Sequence, residues 1–328
     1  MLFWVYISFF FYILSFTSFA HITEDMENYI IDKPLSLTYE VTKEYPPVVK
    51  GKDIVSHLEP LLKEKIKNLQ GKGVQPCLHV IVVAPDAASL RFLEKKKKAC
   101  AEFGMIMQTT TFSEDISQEE LLKKIRELNS NSKVHGIMLY LPLPSHLDAQ
   151  VLLDSIDPHK DVDGLTTFNQ GKLMEGKPFI IPATALSCLL LLRELNSSLE
   201  GKNVVILGRS NLVGKPLAHL LLGQNCTVTI THSKTKRTEE LTQIADILIS
   251  ATGVSLLVKE NWVKEGAIVL DVGISFPDGK TPTGDVNLES VKRKVVHITP
   301  VPEGIGPLTV FMTLVNLLKL ASFKENKE

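Results

Sequence analysis

No Cys-x-x-Cys pair occurs in the 328 residues: Cys77, Cys100, Cys188 and Cys226 are scattered. That spacing suits neither a zinc site nor a disulfide framework, and it fits a reducing compartment. The nine histidines contain no His-x-x-x-His pair, so no metal is expected. Charge of one sign is missing as well. With 36 basic and 37 acidic residues the chain lacks the basic surface of a nucleic-acid binder, and no nucleic-acid partner is expected. The Gly-x-Gly-x-x-Gly fingerprint of dinucleotide sites is also absent.

A looser glycine turn is present. Residues 201–216 read as a buried strand, Asn203 to Leu207, a turn with Gly208 and Gly214, and a helix starting near Val213. A strand–turn–helix of this kind offers backbone N–H groups and a helix N-terminus to a phosphate. The same turn also serves as an ordinary strand–helix connection, and spacing alone does not separate the two uses.

Helical and strand patterns alternate along the chain. Lys52 to Leu69 has helical spacing, Leu78 to Ala84 reads as a strand, and Asp86 opens a helix running to Phe103. Ile106–Phe112 and Gly136–Leu141 read as further strands, and Ser117 to Glu120 is a capping-box pattern before a helix. Leu147 to Ile156 reads as a short helix, 157–164 as a charged turn-rich loop, and Cys188 to Leu195 as an apolar helix. Five more strands follow: Asn203–Leu207, Cys226–Thr231, Asp246–Ala251, Ala267–Val272 and Val296–Thr299. A rigid loop, 299–307, precedes a last apolar helix from Leu308 to about Leu320.

This order predicts an α/β protein of two α/β domains with a cleft between them, the second a doubly wound Rossmann-type domain. The expected boundaries are a leader and linker over 1–45, a first domain over 46–185 completed by helix 308–328, and a Rossmann domain over 186–307.

Met1 to Ala20 is an uncharged apolar run, and Ser18-Phe19-Ala20 resembles a small-x-small cleavage site. It lacks the positive n-region of a secretory signal and the Arg-rich character of a mitochondrial presequence. A cleaved targeting segment, a membrane anchor and an artefact of the start codon all remain open. The first two readings suggest a mitochondrion or plastid-type organelle or a membrane; otherwise the chain is cytoplasmic. Any membrane contact is expected through this segment alone.

The end of the second Rossmann strand carries chemistry. An NAD site usually has an acid there for the ribose hydroxyls. Here the residues are Thr231-His-Ser-Lys-Thr-Lys-Arg237, with no acid before Glu239. Hydroxyls and cations suit a 2′-phosphate, which favours NADP; a solvated basic loop reads the same way.

The ordered set Val134-His-Gly136, Leu141-Pro-Leu-Pro144, Lys160-Asp-Val-Asp-Gly-Leu165, Gly208-Arg-Ser-Asn-Leu-Val-Gly214, His232-Ser-Lys-Thr235, Ala251-Thr-Gly253, Asp271-Val-Gly-Ile274, Gly284-Asp-Val286 and Thr299-Pro-Val-Pro302 with Gly306-Pro307 resembles the methylenetetrahydrofolate dehydrogenase/cyclohydrolase family. The resemblance covers roughly residues 48 to 322. It implies a folate domain, a Rossmann NADP domain and a C-terminal helix returning to the first domain. It also implies a homodimer paired through Rossmann domains, and a tetrahydrofolate substrate oxidised with NADP and then hydrolysed to the 10-formyl form. By the same resemblance Arg209, Ser210 and Ser233 hold NADP phosphates, within a cofactor set that adds Gly208, Gly214, His232, Thr252, Gly253 and Ile274. Asp163 binds the pterin ring, and Pro302, Gly304 and Gly306 line the substrate pocket.

The family's catalytic Tyr and Lys fall on Phe92 and Lys96, four residues apart and so on one helix face. Lys95–Lys98 cover a whole helical turn and cannot share one environment, so one can face a cleft while the others stay in water. Several residues depart from the family pattern. Phe92 lacks the phenol hydroxyl. Tyr140 replaces a Gln that bonds the Lys, and is expected to return one hydrogen bond from the opposite strand. Ala84 and Glu303 replace glycines. Ala183, Ala185 and Ser187 replace the Cys, Pro and Gly around Thr184. These changes leave a dehydrogenase-only enzyme and a non-catalytic NADP- or folate-binding protein as alternatives to the bifunctional enzyme.

Overall fold

Two parallel sheets organise the molecule, a computed structural model that describes residues 48–195 and 198–325. The expected leader and linker, 1–45, lie outside the described residues. The first sheet has three strands, β1 (Cys77–Val83), β2 (Ile106–Phe112) and β3 (Gly136–Leu139), in the order β2-β1-β3. Every residue of β1 is buried, as expected for a central parallel strand covered on both faces. Helix α1 (Gly51–Gly71), α2 (Ala87–Glu102) and α3 (Gln118–Ser130) precede or connect these strands.

Local chemistry sets the helix starts. The Asp86 carboxylate accepts the Ser89 N–H at 2.7 Å and caps α2. Ser117 and Glu120 form the expected reciprocal capping box on α3. Two short helices follow, α4 (Ala149–Asp154) and α5 (Thr167–Met174). The sequence pattern does not mark α5: its capping threonine, Thr166, stands among loop-like residues, and its apolar positions are few. Helix α6 (Ala183–Glu194) begins five residues earlier than its apolar run suggests. Pro182 starts it, and the buried Ser187 hydroxyl turns back to the Ala183 carbonyl at 2.7 Å.

The second sheet contains β4 (Asn203–Leu207), β5 (Thr227–Thr231), β6 (Ile247–Ser250), β7 (Ala267–Asp271) and β8 (Val295–Ile298), all parallel, in the order β5-β4-β6-β7-β8. Helix α7 (Gly214–Leu222) links β4 to β5. This is a doubly wound order whose direction reverses between β4 and β6.

Helix α8 (Ile305–Glu325 in the spatial role of a bridge) starts three residues before the expected Leu308. It packs on α6, α1 and α2 and reaches β1 and β3. By length and hydropathy it would cross a membrane, yet two thirds of that window is buried inside the protein, so it is a core helix. Leu308, Phe311, Met312, Leu314 and Leu317 join Val80, Val82 and Met138 of the first sheet and Val204 and Ile206 of the second in one continuous core. Val48 pairs with Ile298 beside β8, so the start of the described chain is joined to the second sheet while α1 belongs to the first.

Candidate active site

The first sheet reverses direction at β1, so a crevice opens beyond the C-terminal ends of β1 and β3. Helix α2 forms one wall. Its face carries Phe92 and Lys96; Lys96 is buried while Lys95, Lys97 and Lys98 are exposed. The lysine run therefore resolves as the helix geometry requires. The Lys96 ammonium lies 3.2 Å from the Met138 sulfur and 5.5 Å from the centre of the Phe92 ring. Both neighbours are soft and weakly polar, so burial pushes the Lys96 pKa down, against the pull of Asp163.

Asp163 arrives from the loop after α4. That loop is not a free solvated turn. Asp161 pairs with Ile137 of β3, and the Ile137 N–H donates to the Lys160 carbonyl at 2.6 Å. Lys160 is buried and donates to the carbonyls of Leu128, Asn129 and Asn131 at the end of α3. The Asp161 carboxylate accepts the Thr166 N–H and the Asn169 amide, at 2.8 and 2.9 Å. These contacts pin the turn to β3 through a single bridge at Asp161 and leave Asp163 within electrostatic reach of Lys96. Burial raises the Asp163 carboxyl to about 6, while Lys96 lowers it and Asp161 adds to the rise. Among the described residues no protein donor meets the Asp163 carboxylate. Tyr140 continues β3 and is half-buried against the core. Its hydroxyl hydrogen-bonds no described residue. The expected hydrogen bond returned to Lys96 is therefore not formed; Met138 occupies the near side of the ammonium instead.

Pro302 and Gly304 lie on the loop between β8 and the bridging helix 305–325, and Gly306 stands in the first turn of that helix. A Cβ on Gly51 of α1 would meet the Gly304 carbonyl at 2.2 Å, so this loop presses on the start of α1. Glu303 adopts a φ of +80°, and its carboxylate lies 2.7 Å from the Lys52 ammonium and 2.9 Å from that of Lys50. Ala84, after β1, has a φ of +44°. Both stand where the family pattern has glycine, and each costs on the order of 1 kcal/mol of backbone strain.

A second crevice opens where the five-stranded sheet reverses, between β4 and β6. Gly208 follows β4 at φ +115°, and a Cβ there would lie 2.4 Å from the Ala251 carbonyl. A Cβ on Gly214 would lie 2.1 Å from the Gly208 carbonyl. The turn is thus closed so tightly that only glycine fits. Arg209 and Ser210 are exposed on it, and the Ser210 hydroxyl accepts the Val213 N–H at 3.1 Å. After β5, the His232 N–H donates to the Thr235 hydroxyl, and the His232 ring accepts the Lys234 N–H. The turn leaves Ser233, Lys234 and Lys236 exposed on the same rim. Thr252, Gly253 and the exposed Ile274 follow β6 and β7.

Two buried carboxylates underlie this rim, and the sequence reading marked their motifs without assigning them a part. One Asp285 oxygen accepts the Ser250 hydroxyl at 2.8 Å, the Thr252 N–H at 2.7 Å and the Thr252 hydroxyl at 2.8 Å. Asp271 accepts the N–H groups of Asp285 and Val286 at 3.0 and 2.9 Å. Burial raises Asp271 to about 7 despite those bonds. A Cβ on Gly273 would strike the Asp285 carboxylate and one on Gly284 the Asp271 carboxylate, so both positions need glycine. A glycine cradle, a helix N-terminus and a rim of hydroxyls and cations without an acid fit a dinucleotide carrying a 2′-phosphate.

Comparison with known proteins agrees with this geometry. Residues 49–163 match the catalytic domain of tetrahydrofolate dehydrogenase/cyclohydrolase, and residues 182–325 match its NAD(P)-binding domain. The bifunctional protein FolD of Lactobacillus helveticus is 47% identical over 273 residues, covering 83% of this chain and 96% of that protein. The crystal structure of the bifunctional FolD enzyme of Campylobacter jejuni superposes with a TM-score of 0.82 at 41% identity, covering 85% of this chain and 99% of the other. The Trypanosoma brucei enzyme, solved with NADP and an inhibitor, gives a TM-score of 0.82 at 34% identity, over 86% and 99% of the two chains. With both halves matched in order, the chain belongs to the tetrahydrofolate dehydrogenase/cyclohydrolase family.

Proposed function

We propose that this chain oxidises 5,10-methylenetetrahydrofolate to the methenyl form with NADP and hydrolyses the methenyl form to 10-formyltetrahydrofolate. The observation that carries the chemistry is the buried Lys96 facing Asp163 in a crevice where neither has another charged partner in contact. NADP, when bound, accepts the hydride from the folate's bridging carbon. The Gly208 turn, Arg209, Ser210, Gly214, His232 and Ser233 would hold its phosphates, and Thr252, Gly253 and Ile274 would complete its site. The folate lies against Pro302, Gly304 and Gly306, and the Asp163 carboxylate accepts N–H groups of the pterin. This orientation is what the hydride step needs most, because positioning supplies much of its barrier reduction.

Cyclohydrolysis asks more of the side chains. Water adds to the amidinium carbon and gives up one proton to a base; its second proton passes to N5 as the bond from that carbon to N5 breaks, leaving the formyl group on N10. A lysine whose pKa is lowered by burial can take the first proton near neutral pH. Phe92 offers the lysine a ring face in place of a hydroxyl, and Met138 a thioether. This observation favours a second reading, in which hydrolysis lags behind oxidation.

The test uses the purified protein with methylenetetrahydrofolate and NADP, following NADPH and methenyl absorbance together. NADPH without methenyl accumulation supports the bifunctional enzyme. NADPH with accumulation supports the second reading. NADP binding with neither signal would overturn both in favour of a non-catalytic binding protein. The resemblance also supports a homodimer through the Rossmann halves, where β5 lies at a sheet edge; light scattering of the purified protein tests it.

A further inference from the structure

Between β7 and the Gly284-Asp285 pair, the second half of the molecule extends a hairpin. Ser275 and Thr283 exchange both backbone hydrogen bonds at 2.9 Å and form its stem. Its tip is a fixed turn. The Asp278 carboxylate accepts the Lys280 and Thr281 N–H groups at 2.9 and 2.6 Å, and these bonds hold its pKa down at about 2. The Gly279 N–H donates to the Phe276 carbonyl at 2.9 Å. The base is fixed as well, because Asp285 at one end is tied to Ser250 and Thr252. The hairpin is therefore a stiff lever whose base is the cofactor rim.

The far end of this lever meets Arg91. The guanidinium donates to the Gly279 carbonyl at 3.4 Å and lies 6.0 Å from the centre of the Phe276 ring. Arg91 sits on α2 immediately before Phe92 and five residues before Lys96. One side chain thus joins the helix bearing the catalytic lysine to the hairpin growing from the dinucleotide rim.

We propose that Arg91 is a positioning residue for hydride transfer: through Phe276 and Gly279 it sets the approach of the folate crevice to the dinucleotide crevice. The proposal rests on the dehydrogenase/cyclohydrolase reading. The two reactions depend differently on that approach. Hydride transfer requires groups bound in both halves to be face to face, and small misplacements are costly. Hydrolysis of the methenyl form uses only the folate crevice. Binding of either ligand alone does not need the clasp.

The test measures both reactions in Arg91→Ala, Phe276→Ala and the double variant, with hydrolysis started from methenyltetrahydrofolate in the absence of NADP. Arg91 is exposed, so the fold does not depend on it. The expected result is a fall of about two- to fivefold in dehydrogenase kcat, the size of one exposed cation–π contact. The KM for both substrates and the hydrolysis rate should stay within about twofold, changes too small to reach the 1.4 kcal/mol of a tenfold effect. The double variant should be no worse than Arg91→Ala, and Arg91→Lys should recover part of the rate. An unchanged dehydrogenase kcat, or an equal fall in both reactions, would overturn the proposal. Absence of both reactions from the unsubstituted protein, with NADP still bound, would instead overturn the underlying functional reading.

Discussion

The two crevices occupy equivalent places, each at the reversal of a parallel sheet, but they are held by different forces. The dinucleotide crevice is fixed by backbone. Gly208 and Gly214 close its turn, and Asp285 gathers three donors from Ser250 and Thr252. The folate crevice is fixed by packing around charges that remain poorly matched: Lys96 against Met138 and Phe92, and Asp163 without a described donor. Substitutions in the first should therefore damage structure before chemistry, and those in the second should damage chemistry before structure. This is the stability–function opposition in which an active site carries groups that folding alone would not choose.

The strongest challenge to that contrast is Lys96→Met. It removes the proposed proton acceptor and leaves an apolar chain of similar length in an apolar setting. Hydrolysis should fall about 10²–10⁴-fold, the range for losing general acid–base help. The melting temperature should hold or rise, because a buried, weakly compensated cation has gone. A clear loss of stability would show that the lysine is structural.

A paired glycine experiment probes the other crevice. Gly208→Ala should destabilise by about 3 kcal/mol or more and abolish NADP binding, because a real Cβ cannot sit 2.4 Å from a carbonyl oxygen. Gly253→Ala, at φ +70° with nothing within 4 Å, should cost only about 1 kcal/mol. Thermal melts with and without NADP measure both; equal costs would break the argument from close approach.

A subtler contrast comes from pH. Asp163 titrates from 3.8 in the unfolded chain to about 6 when folded. Between those values the folded state binds the extra proton, so this group's contribution to stability falls as pH rises through the window. Relative to Asp163→Asn, the parent should lose on the order of 1–2 kcal/mol from pH 4 to pH 7, allowing for partial exposure. Activity should move the other way, with the folate KM rising as pH falls through about 6 and the carboxylate loses its acceptor form. Urea unfolding and initial rates at matched pH values test the opposed slopes. The smallest expected effect is in Phe92→Tyr. A hydroxyl beside Lys96 should speed hydrolysis by about two- to fivefold, near the worth of one net hydrogen bond, and leave hydride transfer unchanged.

Much of this architecture was legible in the sequence. The strands of both sheets announce themselves as short apolar runs between turn formers, while the glycine turn and basic loop suggested a dinucleotide rim without separating it from an ordinary strand–helix turn and a solvated loop. The helical period showed that the four lysines cannot share one environment, and the family resemblance named Lys96 among them. What could not be read were contacts made across long separations. Nothing in the local pattern says that Met138 rather than Tyr140 touches Lys96, that Asp161 bridges the turn at 157–164 to β3, or that Arg91 meets a hairpin 188 residues away. Helix Thr167–Met174 escaped for a different reason: it is short and weakly amphipathic, and its place is set by the buried Asn169 rather than by an apolar face.

The helix at 305–325 has a consequence for how the protein is made. It supplies Leu308, Phe311, Met312, Leu314 and Leu317 to a core whose other members include Ile54, Leu58 and Val80. A ribosome delivers those early residues long before the late ones, and domains ordinarily fold in the order in which they emerge. Here the first-synthesised half must wait, its apolar surface open, until the last-synthesised segment arrives. Maturation of the folate crevice is thereby tied to completion of the dinucleotide half, so a nascent chain stalled before residue 305 would present neither a finished catalytic half nor a route to one.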